Sequence, residues 1–411
     1  MKNEYLRQVK EKFGRSVKVA VGLSGGVDSS VAAKILVDLG FDVVGVHMQC
    51  WDYNLPGCKG NEDRRDAIKI ASTLGISFKD LNFVSEYKDT VLKYFFDEVK
   101  AGKTPNPDIM CNKEIKFGLF LKWALKEGFD FVATGHYARV SQVEGKATAK
   151  VGGDLLQEYD LLSGVDDGKD QSYFLFRLGQ EALSHSLFPL GDYEKSETRE
   201  LAKRFNLATA QKPDSVGICF IGDINVADFI RANVEVEKGP VVNVEGEVIG
   251  EHEGVPLYTI GQRHGFRLDK YVGMPVYVVK KDAKTNTLVV GFAKDSEVKE
   301  FEVGELSFIR SEYARLFGEA GEAKGVGEEG LKCFVRIRNL GEKMACRVCS
   351  KKSLDGAGKQ ASVHGQDSKR IRTEVLKVEL DEYTVGVAPG QSAVFYDLVD
   401  KGKVLGGGVI Y

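Results

Sequence analysis

Hydrophobic positions in the first third of the chain alternate between short apolar runs and the spaced apolar positions of amphipathic helices. The apolar runs are rich in β-branched residues, which favours strands. We predict strands at 17–21, 42–48, 77–81 and 130–135, and helices at 30–40, 64–75 and 86–100. This alternation implies an α/β domain with a parallel sheet, helices on both faces and ligands at the carboxyl ends of the strands.

From about residue 225 the pattern changes to short alternating runs separated by glycine and proline. Runs at 241–244, 275–279, 287–291, 332–338 and 391–396 predict strands of small β domains or barrels. For a chain of 411 residues, two or three domains are expected. We therefore predict an α/β domain at 1–222, a small β-rich domain at 223–300 and a β-barrel at 301–411.

The composition is that of a soluble globular protein, with 43% hydrophobic and 28% charged residues. No apolar run reaches membrane-spanning length, and the polar start has no signal-peptide core, so we expect no membrane association. Seven cysteines without a dense framework fit a reducing compartment, which predicts a cytoplasmic protein.

The net charge of −3 conceals one basic segment. Between Lys332 and Arg372 there are eleven Lys or Arg residues against three acidic ones. Such a tract fits either a docked polyanion or a solvated lysine-rich loop. Within it, the even-numbered Lys332, Arg336 and Arg338 are predicted to share one strand face. The stretches 318–330 and 350–369 are predicted to be mobile insertions.

A glycine-rich segment joins the first predicted strand to the first helix of the sheet. It consists of Gly22, Leu23, Ser24, Gly25, Gly26, Val27, Asp28 and Ser29. A glycine turn at a helix N-terminus offers free N–H groups and the positive end of the helix dipole to a phosphate. No lysine follows in the Walker position, and the glycines lack dinucleotide-fold spacing. The segment resembles the pyrophosphate loop of ATP pyrophosphatases, which implies ATP binding; Met48 and Gly135, at other strand ends, are expected in the same pocket.

Two cysteines lie in unusual sequence contexts. Cys111 follows a segment with two prolines, predicted to be non-helical, and precedes a helix predicted to begin at Lys113. A thiol near a helix N-terminus and a lysine is expected to favour its thiolate. Cys219 lies in an apolar run flanked by glycine, a context typical of a buried core thiol.

An ordered set of motifs resembles the tRNA-specific 2-thiouridylases, which are tRNA-uridine 2-sulfurtransferases. The resemblance spans nearly the whole chain. Its motifs are the glycine loop, Asn-Pro-Asp-x-x-Cys-Asn at 106–112, Gly-His-Tyr-Ala at 135–138, Lys-Asp-Gln-Ser-Tyr at 169–173, Gly-Ile-Cys-Phe-Ile at 217–221, Gly-Gln-Arg at 261–263 and Pro-Gly-Gln-Ser at 389–392. The resemblance implies ATP-dependent thiolation of wobble uridine 34 by adenylation of O2 and transfer of persulfide sulfur, with Mg²⁺ beside ATP.

The resemblance also implies roles for individual residues. Cys111 corresponds to the nucleophile and Cys219 to the persulfide cysteine, while Asp108 is expected to handle protons or orient the base. Expected tRNA contacts are Asn106, Pro107, Asp108, His136, Lys169, Asp170, Gln171, Arg338, Asn339 and Gln391. At Asn339 the family usually has tyrosine. Implied partners are tRNAs with Lys, Glu or Gln anticodons, and a sulfur-relay protein or cysteine desulfurase.

Two other functions compete with this interpretation. A related adenylating ligase of the argininosuccinate or lysidine type would share the loop but needs no cysteine pair, and a non-catalytic RNA-binding module would use only the basic tract. The remaining cysteines are not expected to carry the chemistry, and Cys50 and Cys58 are interpreted as incidental. Cys50 and Cys58 flank a loop, Cys333 is a core residue, and the Cys346–Cys349 pair cannot complete a four-ligand zinc site. An iron–sulfur cluster on Cys111 and Cys219 would need a third cysteine that the sequence does not identify.

Overall fold

A computed structural model describes residues 2–52, 60–151, 154–214, 217, 219–222, 224–269, 273–317, 330–350 and 375–411. Cys58, most of both predicted insertions and the distal part of the basic tract lie outside these residues. The chain forms two compact units. Unit 1 comprises 1–97, 106–234 and 402–404, and unit 2 comprises 98–105, 235–401 and 405–411. Among the described residues, no helix is long and apolar enough to cross a membrane.

Unit 1 is built on a sheet of parallel strands in the order β3-β2-β1-β4-β7. The strands of the unit are β1 (Lys18–Gly22), β2 (Asp42–Gln49), β3 (Ser77–Asn82), β4 (Phe131–Ala133), β5 (Ala138–Val151), β6 (Asp154–Ser163) and β7 (Ser186–Leu187). Val19 on the central strand pairs with Val43 on one side and Phe131 on the other. The predicted parallel α/β sheet is confirmed. The antiparallel hairpin β5–β6 was not predicted.

The helices of this part of the chain include several that bury apolar side chains in one core with the sheet, for example Leu6, Ala32 and Ile70. They are α1 (Glu4–Phe13), α2 (Val27–Asp38), α3 (Gly60–Leu74), α4 (Val84–Tyr87), α5 (Lys93–Lys100), α6 (Pro107–Met110), α7 (Phe120–Lys126), α8 (Gln180–Ser184), α9 (Lys195–Arg204) and α10 (Val226–Asn233). Helix α2 is buried along most of its length, since Val31, Ala32 and Leu36 have no exposure. Two π-helical segments, Lys88–Leu92 and Cys111–Leu119, connect α4 to α5 and α6 to α7.

The first part of unit 2 is a mixed sheet in the order β10-β9-β8-β12-β11. Its strands are β8 (Gly239–Val242), β9 (Val248–His252), β10 (Phe266–Leu268), β11 (Tyr277–Asp282) and β12 (Thr287–Gly291). Val241, Val278 and Leu288 pack in its core without exposure. The predicted small β-rich domain is confirmed as a fold.

The last part of the chain closes into a barrel. Its strands are β13 (Glu297–Phe308), β14 (Leu331–Arg336), β15 (Met344–Ser350), β16 (Leu376–Val385), β17 (Ser392–Tyr396) and β18 (Lys403–Ile410), with helix α11 (Ser311–Phe317) after β13. The order β13-β16-β15-β14-β17-β18 returns to β13 through pairs such as Val303 with Ile410, which closes the barrel as predicted. The domain boundaries near 222 and 300 remain predictions.

Two barrel cysteines face each other across neighbouring strands. Cys333 on β14 pairs with Cys346 on β15, and their sulfurs are 3.6 Å apart. Cys333 is fully buried, as predicted for a core residue. Cys349 lies three residues after Cys346 on β15 and is more exposed. Because side chains alternate between the faces of a strand, Cys346 and Cys349 point to opposite faces and cannot bind one ion together.

Candidate active site

The glycine-rich loop leaves the end of β1 and enters α2. Gly25 has φ +72°, and a Cβ there would lie 2.2 Å from the carbonyl oxygen of Asp63. Gly135, after β4, approaches the loop so closely that a Cβ would lie 2.7 Å from the Ser29 nitrogen. Any side chain at either position would displace the loop. The first N–H groups of α2 have no helical partner and form the anion-binding end of the helix.

The loop opens into a cavity of about 320 Å³ in unit 1. The cavity collects residues from strand ends, a helix and a later loop that are far apart in sequence. Predicted site residues that line it are Gly22, Leu23, Ser24, Asp28, Ser29, Met48, Asp108, Gly135, His136, Gln171 and Cys219. The expectation that one pocket joins the glycine loop, Met48 and the Gly135–His136 step is confirmed. Its volume lies in the range of small-molecule sites, roughly 300–1,000 Å³.

A smaller cavity on the other side of the loop is lined by Gly26, Val27, Asp28, Tyr137, Lys169 and Lys195, among others. Here Lys195 contacts both oxygens of Asp28 at 2.6 and 2.8 Å, and the Tyr137 hydroxyl donates to Asp28 at 2.9 Å. Lys195, at the start of α9, was not identified from the sequence. The loop carboxylate is therefore already neutralised by a lysine 167 positions away.

Asp214, which lines this smaller cavity, contacts three cationic side chains. It accepts hydrogen bonds from Lys169 and Arg199, and it forms an ion pair with Lys195. Partial burial raises the pKa of Asp214, but the hydrogen bonds from Lys169 and Lys195 more than offset that effect, so its pKa lies below the ordinary range. These side chains form a fixed, mostly positive wall next to the glycine loop.

The two cysteines singled out in the sequence meet at the wall of the large cavity, where Cys219 is a lining residue and Cys111 is not. The Cys111 thiol donates a hydrogen bond to the Cys219 sulfur across 3.5 Å, although 108 positions separate the residues. Cys111 is fully buried, whereas Cys219 is partly exposed. A disulfide has an S–S bond of about 2.05 Å. The sulfurs therefore need to approach by only about 1.5 Å to form that bond.

The environment of Cys111 differs from the expected one. The helix begins at Pro107, not at Lys113, because proline is well suited to the first helical position and the Asn106 side chain caps the Asp108 N–H. Cys111 thus lies inside the helix, and Lys113 is exposed and paired with Glu114. Burial raises the pKa of Cys111 well above its ordinary value, and donation to Cys219 adds to the rise. The prediction of a Cys111 thiolate is wrong.

Cys219, not Cys111, has the environment of a thiolate. The hydrogen bond from Cys111 lowers the pKa of Cys219, and the Lys116 ammonium lowers it further against the effect of burial. Burial alone would lower the pKa of Lys116, but Cys219, Cys111 and Asp108 more than offset this and raise it above its ordinary value. Lys116 therefore remains a cation in the cavity. It is the main residue that the sequence analysis missed.

The backbone of Cys219 is held on both sides. Its N–H donates to Asp108 Oδ1 at 3.0 Å, and its carbonyl accepts from the Tyr87 hydroxyl at 2.8 Å. Phe220 follows with φ +67°, a left-handed conformation that is unfavourable for a bulky side chain. The structure thus fixes Cys219 itself within a sharply turned segment. Ser215, Val216, Ile218 and Asp223 lie outside the described residues.

Of the other predicted contact residues in unit 1, some line the cavities and some form the start of a helix. His136 lines the cavity, and its Nδ1 lies 2.7 Å from the Thr134 hydroxyl; burial, and then Lys116, lower its pKa well below the usual value. Gln171 lines both cavities and accepts the Tyr137 N–H through its side chain. Asn106 caps the helix and Pro107 is its first residue, and both are partly exposed.

Asp170 was expected to contact tRNA, but the structure places it in the interior. Its side chain has no exposure, and its carboxylate accepts from the backbone N–H groups of Gly164 and Ser172 and from the Ser172 hydroxyl. A carboxylate so enclosed cannot touch a large ligand. Asp170 is a structural residue that holds the loop carrying its neighbours Lys169 and Gln171.

Cys50 also lines the large cavity, at the end of β2, and was regarded as incidental in the sequence. It is buried and interacts electrostatically with Cys219. Within the described part of the chain, however, no group of three or more His, Cys, Asp or Glu residues is arranged to hold a metal ion.

The predicted contacts in unit 2 lie on the barrel. Arg338 is exposed and Asn339 partly so, just beyond β14. Gln391 donates from its amide to the Thr104 carbonyl at 2.8 Å. The shared face predicted for Lys332, Arg336 and Arg338 is wrong, because the strand ends at Arg336 and that side chain is buried over the Tyr396 ring. Lys351, Lys352 and the rest of the tract to Arg372 lie outside the described residues.

Comparison with protein families assigns the chain. Its residues 17–223 match the model described as tRNA methyl transferase HUP domain, 227–292 match tRNA methyl transferase PRC-barrel domain, and 359–410 match Aminomethyltransferase beta-barrel domain. The tRNA-specific 2-thiouridylase MnmA of Bacillus cytotoxicus is 39% identical over 97% of this chain and 96% of its own length. The chain belongs to the tRNA-specific 2-thiouridylase family.

Other relatives agree with that assignment. The 2-thiouridylase MnmA of Idiomarina loihiensis is also 39% identical, over 96% of both chains. Among solved structures, a 4-thiouridine synthetase–RNA complex with bound ATP shares 17% identity, with a TM-score of 0.31 over 53% of this chain and 50% of that one. Likeness at that level supports nothing beyond what the family match already shows.

Proposed function

We propose that this protein is an ATP-dependent sulfurtransferase that converts uridine 34 of tRNA to 2-thiouridine, releasing AMP and pyrophosphate. The observation that carries the proposal is that Cys219, whose sulfur lies 3.5 Å from the Cys111 sulfur, lines the same cavity as the glycine loop. Membership in the 2-thiouridylase family supports it. The substrate class is tRNA, and a cytoplasmic location is inferred from that substrate.

The first half-reaction activates the uridine. Uridine O2 is a poor leaving group, so it attacks the α-phosphate of ATP, and pyrophosphate departs. The start of α2 and Ser24 and Ser29 offer hydrogen-bond donors to the phosphates, while Lys195 supplies a cation beside Asp28. Met48 and Gly135 line the same cavity and are assigned to the nucleotide.

Mg²⁺ fits this site through one carboxylate. The ion is commonly bound by one or two carboxylates together with substrate phosphates, and Asp28 lines both cavities at the loop. When bound, Mg²⁺ would offset the charge of the phosphates. Asp28, which Lys195 and Tyr137 contact in this structure, would be the carboxylate that holds the ion.

The second half-reaction delivers sulfur. We assign the persulfide to Cys219, whose outer sulfur attacks C2 of the adenylated uracil, and AMP leaves. Cys111 attacks the inner sulfur of Cys219, so the C2-bound sulfur is released and a Cys111–Cys219 disulfide forms. The Cys111 proton passes to Asp108, which lies on the same helix and contacts Cys219. An external thiol reductant restores both cysteines.

Recognition of the tRNA is assigned to residues in both units. His136, Lys169 and Gln171 lie at the cavities, and Arg338, Asn339 and Gln391 lie on the barrel. We propose tRNAs with Lys, Glu and Gln anticodons as substrates. The sulfur donor is a relay protein or a cysteine desulfurase that carries a persulfide.

A pyrophosphate-release assay tests the proposal. Wild type and Cys219→Ser should both release pyrophosphate from ATP when unmodified tRNA is present, and only wild type with a persulfide donor should form 2-thiouridine. An amidating ligase would turn over without the cysteine pair. A non-catalytic RNA-binding module would bind tRNA and release no pyrophosphate.

A further inference from the structure

Lys116 lies on the face of its helix that points into the cavity. Asp108, Asn112 and Lys116 follow one another at intervals of four residues, and all three line the cavity. The helix is π-helical from Cys111 to Leu119, and such segments often occur at functional sites. The neighbouring Lys113 points elsewhere, because it is exposed and forms an ion pair with Glu114 at 2.9 Å.

The groups around the Lys116 ammonium are two thiols, a carboxylate and neutral rings. Its charge interacts with Cys219, Cys111 and Asp108. Its nitrogen lies 5.7 Å from the centre of the Phe220 ring, next to Cys219. The Lys116 charge also lowers the pKa of His136, which follows β4, and of Cys50, which follows β2, although in each case burial has the larger effect. Burial keeps His136 neutral, so it adds no second cation.

We propose that Lys116 is the counter-ion of the Cys219 sulfur, holding that thiol as a thiolate before sulfur loading and binding the anionic end of the persulfide afterwards. The thiolate part rests on the shared cavity of Lys116 and Cys219 and on the contact of Lys116 with the Phe220 ring, whereas the persulfide part rests on the proposed function. Asp108 shares this cation, and its Oδ1 accepts the Cys219 N–H at 3.0 Å, so the carboxylate, the ammonium and Cys219 lie together at one end of the cavity.

The chemical step explains why a cation is needed here. The Cys219 thiolate attacks the outer sulfur of a donor persulfide R–S–SH, the donor S–S bond breaks, and R–S⁻ leaves while Cys219–S–SH forms. One thiolate is consumed and one is released, so the step needs no other oxidant or reductant. In a partly buried cavity an uncompensated thiolate is unfavourable. Lys116 is the cation that the structure places beside it.

Site-resolved alkylation of the full-length protein tests the proposal. Iodoacetamide labelling of Cys219 is followed by peptide mass spectrometry between about pH 5 and 9, a range that spans the ordinary thiol pKa. Lys116→Met retains the length of the side chain and removes its charge. We expect labelling of Cys219 near neutral pH to slow by about tenfold, which corresponds to one pKa unit. Lys116→Arg should restore most of the rate, and Lys113→Met should match wild type.

Three results would overturn the proposal. They are a Lys116→Met profile that superimposes on wild type, a Lys116→Arg variant as slow as Lys116→Met, and a wild-type Cys219 that titrates at or above the ordinary thiol value of about 8.5. The wild-type profile decides the matter if Lys116→Met does not fold. None of these measurements requires tRNA. A protein that labels as expected but makes no 2-thiouridine would refute the proposed function and leave the Lys116–Cys219 pair intact.

Discussion

The Cys111 thiol donates to the Cys219 sulfur at 3.5 Å, and this contact makes the two cysteines unequal. Cys111 is the buried, protonated partner, and Cys219 is the acceptor beside Lys116. The inequality agrees with a division of labour in which Cys219 takes up sulfur first and Cys111 acts only afterwards. It also explains why resting Cys111 need not be a thiolate.

Replacing each cysteine by serine should separate the two roles. Cys219→Ser should carry no persulfide after incubation with a donor, because a hydroxyl cannot hold sulfane sulfur. Cys111→Ser should load persulfide on Cys219 yet form no 2-thiouridine. Peptide mass spectrometry of the loaded proteins measures both outcomes. Persulfide found only on Cys111 would reverse the assignment, and Cys333→Ser, in the barrel, serves as the control that leaves loading unchanged.

Asp28→Ala should abolish adenylation while tRNA binding survives. The carboxylate is held by Lys195 and Tyr137 at the loop, and its loss removes both the proposed Mg²⁺ ligand and the anchor of that lysine. We expect tRNA-dependent pyrophosphate release to fall by about 100-fold or more. Asp38→Ala, at the exposed end of the same helix, should retain the wild-type rate. A normal rate in Asp28→Ala would refute the role of this carboxylate.

Burial of His136 should make the folded protein sensitive to acid. Burial, and then Lys116, lower its folded pKa, so below about pH 6.5 the unfolded chain binds a proton that the folded chain does not. Stability should therefore fall as the pH falls, by up to about 1.4 kcal/mol per pH unit. His136→Gln should show a shallower decline of melting temperature between neutral and mildly acidic pH.

His264, which is exposed, supplies the control for that experiment. His264→Gln should follow the wild-type curve. His47, whose pKa burial also lowers, keeps part of the decline in every variant. Identical slopes for wild type and His136→Gln would show that His136 titrates normally in the folded state.

Arg338→Ala should weaken tRNA binding without changing ATP binding. The side chain is exposed beyond β14, where it can reach a phosphate. Loss of one phosphate contact should lower the slope of log affinity against log salt by about one. Arg231→Ala, another exposed arginine, is paired with Asp228 and should behave as wild type. Unaltered affinity of Arg338→Ala across a salt titration would identify the site as ordinary solvated surface.

The sequence predicted most of unit 1 because its signals are local. The runs at 17–21 and 42–48 became β1 and β2, and the glycine loop lies where β1 meets α2. The hairpin β5–β6 was missed. The boundary error at Pro107 arose because proline was interpreted as a helix breaker, whereas at the first helical position it helps a helix to start.

The missed site residues have in common that their partners are distant in sequence. Lys195 contacts Asp28 across 167 positions, and Tyr87 contacts Cys219 across 132. Neither residue has a motif around it, because the fold and not the local sequence brings the partners together. Lys116 shares a helix with Cys111, but only the structure shows that its ammonium faces Cys219 and that Lys113 does not. Likewise, the burial of Asp170 and Arg336 could not be read from charge patterns.

Nucleoside mass spectrometry tests the central claim most directly. Unmodified tRNA with a Lys, Glu or Gln anticodon is incubated with the protein, ATP, Mg²⁺, a persulfide donor and a thiol reductant, then digested and analysed. We predict 2-thiouridine at position 34, with about one AMP and one pyrophosphate released per thiolated tRNA, and no product when ATP or Cys219 is removed. Two results would contradict the account. One is ATP hydrolysis that depends on tRNA but yields no thiolated nucleoside, and the other is thiolation that persists in Cys219→Ser.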